Sequence, residues 1–566
     1  MLGIHINLQL MPAKQLDTLD YIVFLVYFLI VAGYGYYIYK KKQSATMSTT
    51  DFFLAEGSLT WWAIGSSLIA SNISAEQFIG ASGDGFAMGL AIATYEWMAA
   101  ATLIVVAVFF MPIYLKNRIF TMPQFLTQRY NNTVSMIMAI FWLFLYVLVN
   151  LTSILFLGAL AVSTISGLNF TACMFGLAIF AIIITIGGMK VIGFTDVIQV
   201  FFLIMGGLAT TYLAINLVST ENGTQGLVEG FDLMLTKSAD HFHMIFPKNH
   251  PHYASLPGLT VLFGGMWIVN LNYWGCNQYI TQRALGADLK TAREGILFAA
   301  FLKLLMPLIV VLPGIAAYTL YQQGLFQQEM LDATGEVNKD HAYPVLLNLL
   351  PTGLKGLSFA ALTAAVVASL AGKANSISTI FTLDIYRKYI APEASEQKLV
   401  NIGRITIVVA MIMAIFISPY MGIDKKGGFQ FIQEMTGLVS PGVFAAFILG
   451  FFWKKTNSAG ALFAIVGGFL LSLFFKYQLP ELVNLEFLAP TGFAVQNAEG
   501  LYVIPFLDTM GFVFLICVAV MIVLGLQKPS NKGLEVDAAM FKVNPTFAVG
   551  AGAILVLVVI LYTIFW

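Results

Sequence analysis

Charge is what this sequence has least of. Only 10% of its 566 residues are Asp, Glu, Lys or Arg, against about 25% in a water-soluble domain. The two signs cancel to a net charge of zero, so no basic face for nucleic acid and no acidic tail is implied. Cysteine is nearly missing: Cys173, Cys276 and Cys517 are odd in number, lie in apolar surroundings and have no metal-ligand spacing. That excludes a disulfide framework and leaves three buried thiols. No polar segment is long enough to be a separate catalytic domain. The apolar segments show no paired Asp, no Ser–His dyad and no metal-spaced His, which argues against an intramembrane enzyme.

Hydrophobic residues fill the space, at 59% of the chain. Apolar runs of about 20 residues, the length that crosses a bilayer core, recur from end to end. About fourteen spans are predicted, near 20–39, 60–82, 86–115, 134–164, 170–187, 195–218, 258–280, 295–320, 345–372, 400–420, 429–453, 458–476, 503–526 and 544–565. The first run is followed by Tyr39-Lys40-Lys41-Lys42 without a small-residue cleavage site, so it is expected to remain as a span. Under strict alternation Lys40–Lys42, Lys116/Arg118/Arg129, Lys190, Arg283/Lys290/Arg293, Arg387/Lys388, Lys454/Lys455 and Lys528/Lys532 fall on one side. By the positive-inside rule that side is cytoplasmic and both termini are outside, in the cell (plasma or inner) membrane. The opposite face carries the long loops 219–257 and 321–344. The first holds His241, His243, His250 and His252, whose Pro, Lys and Asn neighbours are those of a solvated loop rather than a metal site.

Two spans are interrupted by polar and small residues. The second breaks at Ser71-Asn72-Ile73-Ser74-Ala75-Glu76-Gln77 and the seventh at Asn270-Leu271-Asn272-Tyr273-Trp274-Gly275-Cys276-Asn277-Gln278. In hydrocarbon an unpaired backbone group costs several kcal/mol, so a broken helix persists only where protein or a polar cavity satisfies it. Either break alone reads as a kink absorbed by its neighbours. Five spans apart, each opens a group from the opposite side of the membrane, the pattern of an inverted-repeat secondary transporter with its site at the midplane. Several polar groups also sit inside apolar spans, where an ionisable side chain is normally paired or faces a cavity: Glu96, Lys303, Asp196 at the start of span six, and Gln433-Glu434 in span eleven. Glu96 and Lys303 read as a structural ion pair, or as acceptor and donor to a polyhydroxylated solute; the two are not exclusive. Tyr273, beside a break, suits stacking on the C–H face of a pyranose, although it and Tyr95, Trp97 and Trp274 also suit a membrane interface.

The chain resembles the sodium:solute symporter family, most closely the bacterial sodium/galactose symporters and their animal glucose-cotransporting relatives. The resemblance covers nearly its whole length. It rests on 70–80 (ASNISAEQFIG), Thr94-Tyr95-Glu96-Trp97-Met98, Gly187-Gly188-Met189, Thr195-Asp196-Val197-Ile198-Gln199, 272–279 (NYWGCNQY), Thr382-Leu383-Asp384-Ile385-Tyr386 and Phe429-Gln430-Phe431-Ile432-Gln433-Glu434. It implies an all-α polytopic membrane protein with a LeuT-like core of five plus five helices in inverted repeats, about 59–220 and 256–455. One extra helix precedes the core and three follow it, all in a single transmembrane domain. It implies symport of a hexose such as galactose or glucose with Na+ by alternating access. Gln77, Glu96, Asn270, Lys303 and Gln433 would bind the sugar. Tyr273 would stack on it as inner gate, steadied by Asn72 and backed by Trp274, with Tyr95 and Phe429 as outer gate. Sodium would take the carbonyls of Ala70, Ile73 and Ala365 and the hydroxyl of Ser369, with Asp196 as auxiliary; oxygen ligands suit a hard cation. The chain departs from the family pattern at Ala368, where a second hydroxyl is usual, which points to one sodium per solute. It departs again at Ala99, Ala81 and Lys190. A symporter for inositol, sialic acid or an amino acid, or a sodium-dependent channel or sensor, are the competing readings.

Overall fold

The computed structural model describes residues 16–41, 52–53, 59–74, 76–331, 335–420, 428–497 and 499–566; Lys42 and Ala75 lie outside the described residues. The regular structure of the described residues is helical save for one antiparallel pair, Val495–Gln496 with Tyr502–Val503, and an isolated bridge between Leu331 and Val337. The helices named below are α1 (Thr18–Lys41), α2 (Trp61–Asn72), α3 (Ser82–Met88), α4 (Thr94–Val105), α5 (Thr152–Ser166), α6 (Phe170–Ile186), α7 (Met189–Glu221), α8 (Gly265–Gly275) and α9 (Gln278–Leu285). They continue with α10 (Leu289–Gln322), α11 (Leu354–Thr379), α12 (Glu396–Ile417), α13 (Gly428–Gly437), α14 (Ser440–Phe452), α15 (Phe506–Gln527) and α16 (Pro545–Ile564).

Among the described residues ten helices are singly long and apolar enough to cross a membrane, eleven if the bent pair α13–α14 counts as one. The difference from fourteen lies in the short pieces. α6 has 17 residues, and α2, α8 and α9 are fragments of interrupted passes. The helical run Glu76–Lys116 is 41 residues long, about 60 Å at 1.5 Å per residue and twice a bilayer core. It divides at Gly89, whose φ of 72° and ψ of −150° belong to no helix. A Cβ there would run into the backbone of His241, so both the torsion and the close approach require glycine.

Both expected breaks are present, and a third accompanies them. α2 stops because Ile73 turns extended (φ −80°, ψ 116°). Ser74 N–H, which would have closed the helix onto Ala70 O, donates to Gln77 Oε1 (3.2 Å), and Glu76 N–H donates to Ser74 Oγ (3.1 Å). This is a reciprocal N-terminal cap, and it starts the next helix by stopping the last. α8 ends at Gly275, Asn277 is extended (φ −102°, ψ 122°), and α9 resumes. α13 and α14 meet at 52°. The hydropathy of that span gives no sign of the bend, but Gly437 and Pro441 flank it. Asn272 Nδ2 donates to Ser440 Oγ (3.0 Å), tying the second break to the third.

α10 packs against α2, α3, α4 and α7, and α11 against α1, α2, α5, α6, α7 and α12, so these two helices hold both breaks from behind. Two guanidiniums expected among loop charges are fully buried instead. Arg129 donates to the carbonyls of Gly450, Trp453 and Lys454 (2.8–3.1 Å), capping α14, and Arg283 is enclosed beneath α2. The segment between α15 and α16 straps across one end of the bundle. Asn117 and Glu535 exchange two bonds (3.1 and 3.0 Å), and Arg293 at the start of α10 donates to Met540 O and Lys542 O (2.8 Å each).

Candidate binding site and cation pocket

The interrupted helices enclose a cavity of about 50 Å³. All six expected sugar contacts, Gln77, Glu96, Asn270, Tyr273, Lys303 and Gln433, line it, as do the four expected gate residues Asn72, Tyr95, Trp274 and Phe429. They arrive from α2, the turn after it, α4, α8, α10 and α13. A space of this size holds a few waters, and aromatic rings form much of its wall. Tyr95 meets Phe429 edge-on (5.2 Å, 88°), and Tyr273 packs edge-on against Trp274 and Tyr279.

One hydrogen-bonded chain crosses the cavity. Lys303 Nζ, 1% exposed, donates to Glu96 Oε2 and to Asn72 Oδ1 and lies 5.2 Å from the Trp274 ring centroid. Asn72 Nδ2 donates to Tyr273 Oη (3.0 Å), and Tyr279 Oη donates to the same oxygen. The ion pair read from the sequence therefore exists, and the cavity wall is made of it. Gln77 uses its carbonyl on the break and still lines the space.

The expected cation ligands meet where α2 ends against α11. The break frees Ala70 O, as above, and also Ile73 O, because Gln77 N–H bonds to Ser74 O (3.2 Å). Ser369 Oγ donates to Ser71 O (3.2 Å), which puts the α11 hydroxyl at the same frayed end. Ser71 Oγ is buried with no partner among the described residues. An orphaned hydroxyl beside freed carbonyls fits a hard cation as cargo, with oxygen donors alone. Ala365 and Ala368 are buried on α11 in the same stretch. Asp196 accepts from Ser67 Oγ (2.5 Å), itself an acceptor for Arg283 Nε (2.9 Å), so it stands one helical turn from Ala70 with its own counter-cation.

Sequence reasoning passed over six polar groups that line the cavity: Glu76, Asn150, Asn277, Tyr279, Lys373 and Thr436. Lys373 had a signal, being a lysine at membrane depth, but the span was expected to end at 372, whereas the helix runs on to Ile390. The histidine loop gathers no group of three or more His, Cys, Asp or Glu among the described residues. His241 stacks on Tyr318 (3.7 Å) and His250 on Phe246 (3.8 Å).

Interrupted helices converging on a polar, aromatic-lined cavity define a cation-coupled secondary transporter of the LeuT-like fold. The chain belongs to the sodium:solute symporter family, whose model matches residues 52–468, and it is a multi-pass membrane protein that co-transports sodium. It is 45% identical over 562 residues to the sodium/glucose cotransporter of Vibrio parahaemolyticus, covering 97% of this chain and 99% of that one. It is 34% identical over 488 residues to human sodium/myo-inositol cotransporter 2, covering 82% and 70%. A solved Na+-coupled sialic acid symporter in a substrate-bound outward-open state superposes with a TM-score of 0.75 over 91% of this chain and 99% of that one. At 20% identity it speaks for the fold alone.

Proposed function

We propose that the chain carries a neutral hexose such as glucose or galactose into the cell with one Na+ per sugar. The observation that supports this best is charge balance in the cavity. Glu76 and Glu96 stand against Lys303 and Lys373, so no net cation is left to hold a carboxylate, and the donors and acceptors between them suit a neutral polyol. That disfavours sialic acid and amino acids. In this reading Gln77, Glu96, Asn270, Lys303 and Gln433 bind the sugar, Tyr273 is the inner gate with Asn72 and Trp274 behind it, and Tyr95 and Phe429 are the outer gate. Ala70 O, Ile73 O, Ala365 O and Ser369 Oγ hold sodium, with Asp196 as auxiliary.

Sodium binding at the end of α2 joins that helix to α11 and favours the outward-open form. Sugar enters past Tyr95 and Phe429, the gate closes, sodium leaves inward, and Tyr273 yields. Coupling free energies of this kind are about 1–3 kcal/mol, and an inward-negative potential adds roughly 2.3 kcal/mol per charge per 100 mV. The repeats occupy about 59–220 and 256–455 within one domain of fourteen passes, placed in the plasma or inner membrane with both termini outside. Uptake of labelled hexoses into proteoliposomes, with and without a sodium gradient, tests the reading. Glucose or galactose should accumulate against its gradient only when sodium is high outside. Accumulation of myo-inositol, sialate or an amino acid in preference to every hexose would replace it, and flux that never saturates or accumulates would make the protein a channel.

A further inference from the structure

The buried ammonium of Lys373 has no place in the mechanism above. It sits on α11 one turn beyond Ser369, is 4% exposed, and lines the cavity. No ion pair within 4.0 Å holds it among the described residues, although Glu76 across the same cavity attracts it and Arg283 repels it. What the ammonium meets is a ring face: Nζ lies 3.6 Å from the centroid of Tyr279 and 5.9 Å from that of Tyr146. A cation so close to an aromatic face and shielded from water is held by the ring quadrupole more firmly than it would be at a surface. Tyr279 is pinned on two further sides. Its hydroxyl donates to Tyr273 Oη, and Arg283 donates to its carbonyl. The helix that carries the Ser369 hydroxyl therefore also carries the group that grips the tyrosine behind Tyr273.

We propose that Lys373 is the positioning residue that passes the state of the cation pocket to the inner gate, on the reading of sugar and sodium sites given above. Ser369 and Lys373 are one turn apart on α11, roughly 6 Å along the helix axis, so a sodium ion at Ser369 and the Lys373 ammonium are like charges in a medium that screens them poorly. With sodium bound, repulsion keeps the ammonium on the Tyr279 ring, Tyr279 stays under Tyr273, and the gate is closed. When sodium leaves, the freed carbonyls of Ala70 and Ile73 become the better partner for the ammonium. It moves off the ring, and Tyr279 releases Tyr273. Order of release, sodium before sugar, is then built into one side chain.

The test uses the full chain in proteoliposomes with Lys373→Met, which keeps the stem and removes the charge, Lys373→Arg, which keeps a cation on the ring, and Tyr279→Phe, which cuts the bond to Tyr273. Three quantities are read: the ratio of hexose uptake with and without sodium, sodium-free counterflow of labelled hexose, and the sodium concentration for half-activation. Lys373→Met should lower the sodium ratio to near one and raise sodium-free counterflow about tenfold, while Lys373→Arg restores most of both. Tyr279→Phe should raise counterflow by a similar factor and leave the sodium concentration for half-activation nearly unchanged, a split that general damage does not produce. Wild-type ratio and counterflow in Lys373→Met overturn the proposal. If that variant does not fold, unchanged counterflow in Tyr279→Phe overturns it. Failure of the wild-type protein to show any sodium-dependent hexose uptake would instead strike the functional reading on which it rests.

Discussion

In Lys303 a structural bond and a place on the cavity wall share one ammonium group. Its bonds to Glu96 and Asn72 hold three helices together, and the same atoms face the cavity. Removing one partner of a buried pair leaves an uncompensated charge and costs about 3–5 kcal/mol. Glu96→Ala is therefore expected to lower the melting temperature in detergent and to cut hexose uptake at least tenfold, whereas Glu96→Gln with Lys303→Gln should recover the melting temperature and not the uptake. Hexose transport at the wild-type KM in Glu96→Ala would remove these residues from the sugar site. Ser369 gives a cleaner separation, because among the described residues its hydroxyl donates to a carbonyl at the end of α2 and to no charged group. Ser369→Ala should abolish sodium activation while the purified protein remains monodisperse; unchanged half-activation by sodium would exclude it as a ligand. Glu96, Lys303, Tyr95, Tyr273 and Trp274 were legible in the sequence because polar and amphipathic groups stand out against an apolar run, whereas Glu76 and Tyr279 were passed over inside the two break motifs. Lys373 was not legible, since its helix continues past the point where hydropathy falls.

Interruption, rather than helix formation, is the informative event among the elements. Starts are legible wherever an Asn, Asp or Ser precedes an apolar run: Asn131, Asp288 and Asn544 each accept a backbone N–H in the first turn. The two breaks were legible as polar clusters at membrane depth. How the first break is made was not, although Ser74-Ala75-Glu76-Gln77 has the spacing of a capping box, because Gln77 was assigned only to ligand contact. Ser74→Ala removes the acceptor of Glu76 N–H and should cost about 0.5–2 kcal/mol. As the same cap holds Ala70 O and Ile73 O away from helical partners, the variant should raise the sodium concentration for half-activation while leaving the hexose KM at saturating sodium nearly unchanged. An equal change in both would assign the cap to general stability. The 52° bend between α13 and α14 escaped the sequence reading because the span was read by hydropathy alone; Gly437 and Pro441 mark the corner, and the pairing of Asn272 with Ser440 ties it to the second break.

For the whole molecule, basic connections were read from the sequence as cytoplasmic loops, yet Arg129 and Arg283 show that a basic residue near a span end is not always in water. Both are drawn inside by carbonyls or hydroxyls that need donors. Outside the bundle the histidine loop sets a pH limit on stability. Burial, then the charges of His250, Lys339 and His241, pulls His252 down to about 4. An unfolded imidazole protonates near ~6.5, so protons favour the unfolded chain between these values and stability falls as pH drops from about 6.5 toward 4. His252→Gln should flatten the melting temperature across that window; an unchanged slope would assign it to other groups. The strap formed by Glu535, Met540 and Lys542 reaches Asn117 beyond α4 and Arg293 at the foot of α10. The two final helices thus serve as an anchor for a tether, and the tether limits how far the foot of α10 can swing. A single proteolytic nick between them would lengthen the stroke of the carrier without altering one atom of the lumen.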